Sequence, residues 1–462
     1  MCSVMRPGPD QAAPPAESGH PPSCRHPDCT ASELILAPFR ALRLDHTRVD
    51  LAAATSPPYD VIDDADVRAL ERGEQYNVVR LTRPHDPTDP YGRAAATLQA
   101  WRRDGVLRRD DQPGLYLVEQ ERAGHTYRAL VGALALRDPS TGVILPHERV
   151  MPGPVADRLA LLRATRTHLE PILLTTDAGH GAVRMAREAC RGMPPLAELV
   201  VGSDTHRLWQ LTEPVVLARI RTALRPVRAL IADGHHRYAA ALALRDDAHA
   251  AGWGHGGWDY MLAYLVDTGT DPLELDGIHR SLAAVTLDAL LDAFRRLDGL
   301  AVVSLPRAEA IAALAPAPPA PASGAGTDPH RPRFVLTDGT RWFGVGDPLG
   351  RLASMLPPDT PPGWSRLDTA LLHEVVLRQL VPVPEEAIGY HHDLEPALRA
   401  IATGGCVILL GAPTLTEIIE LAAAGVRVPR KTTSFGPKPR TGLLMSPIDP
   451  WGTAPVDTPA AD

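Results

Sequence analysis

Five consecutive residues, Asp-Gly-His-His-Arg at positions 233–237, bring an acid, two imidazoles and a guanidinium together around one glycine. A short apolar segment at 229–232 predicts a buried strand that leads into them, and the Ala- and Leu-rich segment at 238–246 predicts a helix. Where a strand ends at a glycine and a helix begins at once, the first helical N–H groups lack partners and the helix dipole adds positive charge. Such a turn commonly binds phosphate, so we predict that the 233–237 turn is a phosphate site.

Each residue of the 233–237 turn has a chemical role that fits a bound phosphate. Gly234 lets a ligand approach the main chain, and Arg237 can bind phosphate through two parallel N–H groups. Asp233 can hold Mg²⁺ or accept a proton, and His235 and His236 can hydrogen-bond phosphate or carry a proton. The alternative interpretation is that Asp233 only caps the helix and that both histidines are solvated.

Lysine is almost absent from the chain. Of its 47 Lys and Arg residues, only Lys431 and Lys438 are lysines, and they lie close together in one basic stretch. Arginine replaces lysine readily on a solvated surface, but not where a compact, rotatable ammonium is needed. We therefore predict that the 431–438 loop is functional and that Lys431, Lys438 and the nearby Arg440 bind an anionic cofactor. The alternative is chance survival of two lysines in a basic loop.

Two further segments carry candidate site residues. The prolines at 57 and 58 hold an extended turn, so Asp60 could bind Mg²⁺ or substrate, or could cap the helix predicted at 63–71. Asn77 is the only asparagine of the chain and precedes a predicted strand, which makes it a cofactor-binding candidate. The charged residues of 146–150, 157–158 and 163–166 either solvate one face of a helix or line an anionic pocket, and taken alone they favour the solvated face.

The elements that must position these residues alternate between strands and helices. Strands are predicted at 115–119, 130–136, 260–266 and 406–410, and helices at 155–169 and 414–424, where Gly425 ends the last one. Antiparallel pairs among them predict a mixed α/β fold with α+β character. The length of 462 residues favours two or three domains.

Composition suggests where those domains begin and end. Residues 1–31 and 449–462 read as disordered tails, and the Ala- and Pro-rich segment 315–333 as a linker or surface loop. Residues 32–314 are then predicted to form the core with an inserted subdomain. Residues 334–448 are predicted to form a C-terminal α/β subdomain that contributes the 431–438 loop.

Charge and hydropathy exclude several classes of protein. The net charge of −8 argues against nucleic acid as a partner, because binding a phosphate backbone needs a clustered basic excess. No apolar run is long enough to span a membrane, and the N-terminus lacks a secretory signal pattern. Five scattered cysteines make no disulfide framework. These features predict a cytoplasmic protein without nucleic-acid or membrane partners, and they leave its oligomeric state open.

Several motifs in one order resemble a widespread bacterial and archaeal family of uncharacterised proteins. They are Pro-Phe-Arg-Ala from 38, Pro-Pro-Tyr-Asp-Val-Ile from 57, His-Glu-Arg from 147, Asp-Arg-Leu from 157, Ala-Asp-Gly-His-His-Arg-Tyr from 232 and Lys-Thr-Thr-Ser-Phe from 431. The family's turn is similar to that of the ParB and sulfiredoxin-like fold, whose members include an ADP-dependent free-serine kinase. The resemblance implies a ParB/sulfiredoxin-like nucleotide-binding core with additional α/β subdomains, and nucleotide phosphate bound at 234–237 with Asp60 as a partner.

Together these features lead to the expectation of a phosphotransferase that uses Mg²⁺ and a nucleotide (ADP, ATP or CTP) and acts on a small hydroxylated metabolite. The helix N-terminus and Arg237 would hold phosphate, and Lys431 and Lys438 would close over the transferred group. Asp233 or Asp60 would hold Mg²⁺ or take the hydroxyl proton, with His235 or His236 as the alternative base. A nucleotide-binding switch with slow hydrolysis and a metal-dependent phosphoester hydrolase remain alternatives.

Overall fold

The computed structural model describes residues 32–177, 180–314 and 332–448. The tails expected at 1–31 and 449–462, and all but the last two residues of the segment expected to be a linker at 315–333, lie outside the described residues.

The strands are numbered in chain order. Those before residue 278 are β1 Leu36–Ala37, β2 Leu42–Leu44, β3 Leu107–Arg109, β4 Leu115–Arg122, β5 His125–Ala135, β6 Ile144–Leu145, β7 Thr167–His168, β8 Ile172–Thr176, β9 Ala197–Val201, β10 Asp204–Leu211, β11 Ala229–Asp233, β12 Tyr260–Asp267 and β13 Glu274–Asp276. Those that follow are β14 His279–Leu282, β15 Ala301–Ser304, β16 Phe334–Thr337, β17 Trp342–Gly346, β18 Ile388–His391, β19 Cys406–Leu410, β20 Ser434–Gly436 and β21 Ser446–Pro447.

The helices are numbered in the same way. They are α1 Leu51–Ala54, α2 Asp64–Gly73, α3 Val79–Thr82, α4 Pro90–Arg103, α5 Pro152–Thr165, α6 Ala182–Ala189, α7 Pro214–Leu224, α8 His235–Ala250, α9 Leu287–Arg295, α10 Arg307–Ala312, α11 Arg351–Ser354, α12 Asp368–Leu371, α13 Leu394–Ala400 and α14 Leu415–Ala423. Short 3₁₀ turns lie at Pro139–Thr141, Gly257–Asp259, Trp364–Arg366 and Glu385–Ala387, and α12 continues as a π-helical segment, Leu372–Leu380.

A nine-stranded mixed sheet forms the first half of the molecule. Its order is β6-β11-β8-β12-β5-β4-β10-β9, with β1 added beside β5. The pairs β6–β11 and β8–β12 are parallel and the other pairs are antiparallel. The predicted mixed α/β fold is therefore confirmed, and β11, which leads into the 233–237 turn, lies between two other strands of this sheet.

Apolar clusters lie on both faces of this sheet. Side chains alternate along β4, so that Leu115 and Leu117 pack into one apolar cluster while Tyr116 and Val118 pack into another. Helices α6, α7 and α8 cover the first face. Helices α4 and α14 contribute to the cluster on the second face, so that the C-terminal part of the chain packs against the same sheet. A doubly covered sheet gives the end of β11 a rigid base.

A six-stranded antiparallel sheet forms the second half, in the order β15-β17-β16-β19-β14-β18. Strands β14 and β15 precede the 315–333 segment and β16 to β19 follow it. The second sheet thus begins well before the predicted boundary at 314, because its strands hydrogen-bond across that segment. In sequence, the Ala- and Pro-rich segment at which a boundary was predicted therefore lies between strands of one sheet, β15 and β16.

The last described segment of the chain returns to the first half. Strand β20 pairs with β13, β21 pairs with β7, and the backbone of Leu42 exchanges two hydrogen bonds with Met445. Residues 434–448 are therefore placed against the first half of the molecule, although they follow the second sheet in sequence.

Most predicted elements are present, and one is wrong. The strand at 406–410 has the predicted bounds, and α14 is capped by Thr414 before it and followed by Gly425 at φ +75°. Helix α5 ends earlier than predicted because Arg166 adopts a left-handed conformation (φ +46°) and β7 follows. The strand predicted after Asn77 is a short helix, α3. Within the described ranges, no helix combines the length and apolarity needed to cross a bilayer.

Candidate functional site

The 233–237 turn joins β11 to α8 as the sequence predicted. All five residues of β11 are buried, and Gly234 adopts φ +97°, a conformation that favours glycine. A Cβ at this position would lie 2.7 Å from Cγ2 of Ile172, so a side chain is excluded sterically as well. The first N–H groups of α8 therefore begin directly at the end of a rigid strand, which is the geometry of an anion site.

Asp233 does not cap α8. One carboxylate oxygen accepts a hydrogen bond from Arg237 Nη2 at 2.5 Å, and the other accepts one from Lys438 Nζ at 2.5 Å. Burial opposes ionisation of Asp233, yet the charges of Lys438 and Arg237 hold its pKa below the usual value. The helix-cap alternative is therefore not the arrangement observed, and both oxygens expected to hold Mg²⁺ are engaged by cations.

Lys438 brings the 431–438 loop to the turn. It lies 205 residues from Asp233 in sequence, and its side chain is 23% exposed. Burial lowers its pKa, but the charges of Asp233 and Asp60 outweigh that effect and raise it, so the ammonium is charged. Lys438 thus offers solvent a cation at the N-terminal end of α8.

Lys431 lies at the other end of the loop and is exposed. Its backbone is left-handed (φ +57°), and its carbonyl accepts a hydrogen bond of 2.9 Å from Arg280 Nη2. The charge of Lys431 acts on Glu148 and His236, so its ammonium belongs to the same electrostatic environment as the turn. The fully buried Arg280 anchors this end of the loop from the second sheet.

The two histidines of the turn hold a neighbouring loop. His235 Nε2 accepts hydrogen bonds from the backbone N–H groups of His147 (3.2 Å) and Glu148 (3.3 Å), and His236 Nε2 accepts one from Met151 (3.1 Å). Burial lowers the pKa of both imidazoles, so they are neutral acceptors. Their Nε2 atoms therefore fix the 147–151 segment beside the turn.

His147 links that segment to the 431–438 loop. Its ring lies 4.6 Å from the His235 ring and 5.8 Å from the Phe435 ring, and its Nε2 is 2.8 Å from Thr433 Oγ1. Burial lowers its pKa to about 3, so it is neutral at physiological pH. The 147–151 segment, the 233–237 turn and the 431–438 loop consequently form one packed unit.

Glu148 stands out electrostatically in this unit. Its side chain is close enough to Asp233, Lys431 and Lys438 for their charges to act on it. Burial raises its pKa to about 7, against the opposing effect of Lys431. A carboxyl that changes protonation near neutral pH is suited to general acid–base chemistry.

A second carboxylate, Glu170, supports the far side of the turn. Its Oε1 accepts hydrogen bonds of 3.0 Å from the Tyr59 N–H and from Thr441 Oγ1. The Arg158 guanidinium lies 4.0 Å over the Tyr59 ring, and Arg237 lies 5.9 Å from it. Burial raises the pKa of Glu170, while Arg237 and Arg158 oppose that effect. Glu170 thereby connects the Tyr59 segment to Thr441, which follows the 431–438 loop in sequence.

Asp60 follows Tyr59 in sequence and is exposed. It does not cap α2, because the cap is Asp63, whose side chain accepts hydrogen bonds from Ala65 and Asp66. Its charge acts on Arg237, His236 and Lys438, so the structure brings Asp60 into the environment of the turn.

Asn77 and Arg440 both form hydrogen bonds to the 52–55 segment. The fully buried Asn77 amide donates to the carbonyls of Ala53 and Thr55 and accepts from the Val79 N–H. Arg440 donates to Thr55 Oγ1 and to two backbone carbonyls of the same segment. Both side chains therefore fix the 52–55 segment, which precedes the loop carrying Tyr59 and Asp60.

Glu148 and Glu170 were not predicted as site residues. The His-Glu-Arg sequence favoured a solvated face because nothing local shows that His147 is buried beside His235 and Phe435, whereas Arg149 is indeed exposed. Glu148 could have been found from its place in the family motif, whereas Glu170 lies outside the motifs that carry the resemblance.

Among the described residues, neither Asp233 nor Asp60 belongs to a group of three or more side chains placed to hold a metal ion. Within the ranges that the structure describes, the single group of three closely spaced donor side chains is His249, His255 and Asp259. Asp60 remains the better of the two predicted Mg²⁺ ligands, because Asp233 pairs with Arg237 and Lys438.

The chain belongs to the DUF1015 family of proteins of unknown function, which it matches over residues 36–370. No curated protein matches the sequence.

Three solved structures of differently named proteins are similar to part of this chain. A free serine kinase variant in complex with ADP has 15% identity and a TM-score of 0.32, over 67% of this chain and 87% of its own. A conserved hypothetical protein from Pyrococcus furiosus has 14% identity and a TM-score of 0.30, over 67% and 90%. Truncated SbnI from Staphylococcus aureus has 11% identity and a TM-score of 0.35, over 69% and 87%. These TM-scores are too low to transfer a ligand or an activity to this chain.

Proposed function

We propose that this DUF1015 member is a nucleotide-dependent phosphotransferase that acts on a small hydroxylated metabolite, with phosphate held at the 233–237 turn. The observation that carries the proposal is the 2.5 Å contact between Lys438 Nζ and Asp233 Oδ1. This contact holds the Lys438 ammonium at the last residue of β11, next to the N-terminus of α8. A cation and a helix N-terminus both favour binding of a phosphate group.

The residues of the turn and of the 431–438 loop have different roles in the proposed phosphate binding. The first N–H groups of α8 and the partly exposed Lys438 ammonium contact the phosphate directly, and Lys431 adds charge from the rim of the site. Arg237 is 9% exposed and bonds to Asp233 and to the Pro171 carbonyl, so it acts by holding Asp233 and adding positive charge. Asp233 in turn keeps Lys438 over the helix N-terminus. Phosphoryl transfer depends mainly on this kind of positioning and charge neutralisation.

Glu148 is the base of the proposed reaction. The acceptor hydroxyl gives its proton to the Glu148 carboxylate, and its oxygen forms the new bond to phosphorus. The bond between phosphorus and the bridging oxygen breaks, and the nucleotide leaves with that electron pair and one phosphate fewer. A base with a pKa of about 7 is ionised over a large part of the physiological range and still binds a proton well.

His235 and His236 act as positioning residues in this account, because their Nε2 atoms already accept backbone hydrogen bonds. Asn77 and Arg440 hold the 52–55 segment, and Asp60 is the carboxylate suited to Mg²⁺ that arrives with the nucleotide. Mg²⁺ would neutralise phosphate charge when bound. The ParB/sulfiredoxin-like character of the core is part of the same proposal.

Nucleotide binding and product analysis test the proposal together. Purified protein is titrated with ADP, ATP, CTP and pyrophosphate, each with and without Mg²⁺, and thermal shifts are recorded. A selective shift with one nucleotide, followed by transfer of its terminal phosphate to a hydroxylated metabolite from a pooled set, is expected. Slow hydrolysis without any phosphorylated product would favour a nucleotide switch. Hydrolysis of phosphoesters without nucleotide would favour a metal-dependent hydrolase, and either result would contradict the phosphotransferase.

A further inference from the structure

Three donor side chains converge at the C-terminal end of α8, at the opposite end of that helix from the 233–237 turn. His249 Nε2 lies 2.8 Å from Asp259 Oδ1, and His255 Nδ1 lies 3.3 Å from Asp259 Oδ2. One donor atom from each residue falls within 4.8 Å of the other two. None of the three residues takes part in the proposed phosphoryl transfer.

The loop that brings them together is shaped by its glycines and a tryptophan. Gly252 and Gly254 adopt φ of +76° and +68°, which favours glycine at both positions. A Cβ at Gly256 would lie 2.5 Å from the Trp258 ring, whose Nε1 donates to the Gly254 carbonyl at 2.9 Å. These constraints return the chain so that His255 faces Asp259.

Asp259 is held independently of the histidines. Its Oδ2 accepts a 2.8 Å hydrogen bond from the Gly256 N–H, and its carbonyl accepts one from the Leu136 N–H. The residue directly precedes β12, a central strand of the first sheet. Two imidazoles are thus arranged around a carboxylate whose own position is fixed by the backbone.

We propose that His249, His255 and Asp259 form a binding site for a divalent transition-metal ion of the zinc class. Two imidazole nitrogens and one carboxylate oxygen suit Zn²⁺, whereas Mg²⁺ and Ca²⁺ require oxygen donors. Bonds of about 2.0–2.2 Å in tetrahedral geometry separate ligand atoms by roughly 3.4 Å, so side-chain movements of about an ångström or less would suffice. Water would complete the coordination.

The ion would enter from solvent and join two elements. The side chain of His255 is 39% exposed, whereas those of His249 and Asp259 are 18% and 12% exposed. A bound ion would tie the end of α8 to the start of β12 and would stabilise the folded chain by mass action. The site is structural in this proposal and does not depend on the function proposed for the 233–237 turn.

Zinc titration of the full chain without an affinity tag tests the site. Wild type, His255→Ala and His249→Gln are dialysed against chelator, titrated with Zn²⁺ or Mg²⁺, and followed by elemental analysis and thermal denaturation. The exposed His125, the first residue of β5, provides the control variant His125→Ala.

We expect His255→Ala and His249→Gln each to bind one equivalent of Zn²⁺ fewer than wild type and to lose the zinc-induced rise in melting temperature. His125→Ala is expected to behave as wild type, and Mg²⁺ is expected to shift none of them. Unchanged stoichiometry and an unchanged zinc shift in His255→Ala would overturn the proposal. If His249→Gln does not fold, the variant at the exposed His255 still decides the outcome.

Discussion

At the scale of single residues, the candidate site depends on charges that come from distant parts of the chain. The sequence was sufficient to predict the strand, turn and helix around 233–237, because unusual residue types stand next to one another there. The two lysines also pointed to the loop that Lys438 brings to Asp233, while the role of Lys438 in binding stays a prediction. The sequence could not predict Glu148, whose raised pKa results from burial by segments far away in sequence. Nor could it show that His235 and His236 accept backbone hydrogen bonds, since their partners lie more than 80 residues away.

The role of Glu148 predicts a pH-dependent rate. The carboxyl must lose its proton to act as a base, so the rate should rise with pH through about 7 and level off above it. We expect Glu148→Gln to lower kcat by about 10²–10⁴-fold and to abolish this rise, while nucleotide affinity changes little. Steady-state kinetics from about pH 5.5 to 9, which spans the titration of this carboxyl, measure both effects.

The exposed Glu386 provides the matched control, because Glu386→Gln makes the same change outside the site. This variant should keep the wild-type rate and pH profile. A Glu148→Gln enzyme with the wild-type profile would exclude Glu148 as the base.

The raised pKa of Glu148 also affects the stability of the folded protein. The folded pKa of Glu148 lies above the ordinary glutamate value of 4.5, so the folded state holds its proton more tightly than the unfolded state does. The stabilising contribution is present below about pH 4.5 and is lost as pH rises to about 7. At about pH 8 we expect Glu148→Gln to have a higher free energy of unfolding than wild type, by on the order of 1–3 kcal/mol, and chemical denaturation at that pH measures the difference. A lower stability of Glu148→Gln under these conditions would contradict the raised pKa.

At the scale of elements, strong local patterns predicted strand 406–410 and α14 well, because apolar runs, a capping threonine and a terminal glycine are signals within the element itself. The region after Asn77 was misassigned, because its conformation depends on hydrogen bonds from the Asn77 side chain to the 53–55 backbone. The turn from β11 into α8 was predictable because it requires glycine locally.

That requirement leads to a stability prediction at Gly234. Alanine there would adopt φ +97° and place its Cβ 2.7 Å from Ile172, so Gly234→Ala should lower the free energy of unfolding by roughly 2–4 kcal/mol. Chemical denaturation measures this loss. Gly73, the last residue of α2, has open space where a Cβ would lie and no positive φ, so Gly73→Ala should be neutral or slightly stabilising. Equal stability of Gly234→Ala and wild type would show that the turn is not constrained in this way.

At the scale of the whole molecule, the site is assembled by a chain that leaves the first sheet, builds the second and returns. Composition predicted a C-terminal subdomain that contributes the 431–438 loop, but it carries no information on strand pairing and so could not show that β20 pairs with β13. The returning segment packs Leu443, Leu444 and Met445 into the core beside the first sheet. Loop position and the stability of the first half are therefore linked.

Met445 tests that link. Its side chain is 1% exposed, so Met445→Ala should lower the free energy of unfolding by about 2–5 kcal/mol, and it should also weaken nucleotide binding by loosening the segment that carries Lys438. Met193 is 47% exposed, so Met193→Ala should change neither property. Denaturation and nucleotide titration of both variants measure the effects. A destabilised Met445→Ala protein with unchanged nucleotide affinity would show that packing of Met445 does not determine the position of the 431–438 loop.

The proposed function requires that Lys438 and the 233–237 turn form one phosphate site. The most direct measurement is the affinity of Lys438→Met for the nucleotide that shifts the wild-type melting temperature most, compared with Arg102→Ala, which removes an exposed charge on α4. We predict that Lys438→Met remains folded but binds at least about tenfold more weakly, a loss of about 1.4 kcal/mol or more, while Arg102→Ala binds as wild type. Wild-type affinity in folded Lys438→Met would show that Lys438 does not bind the nucleotide phosphate.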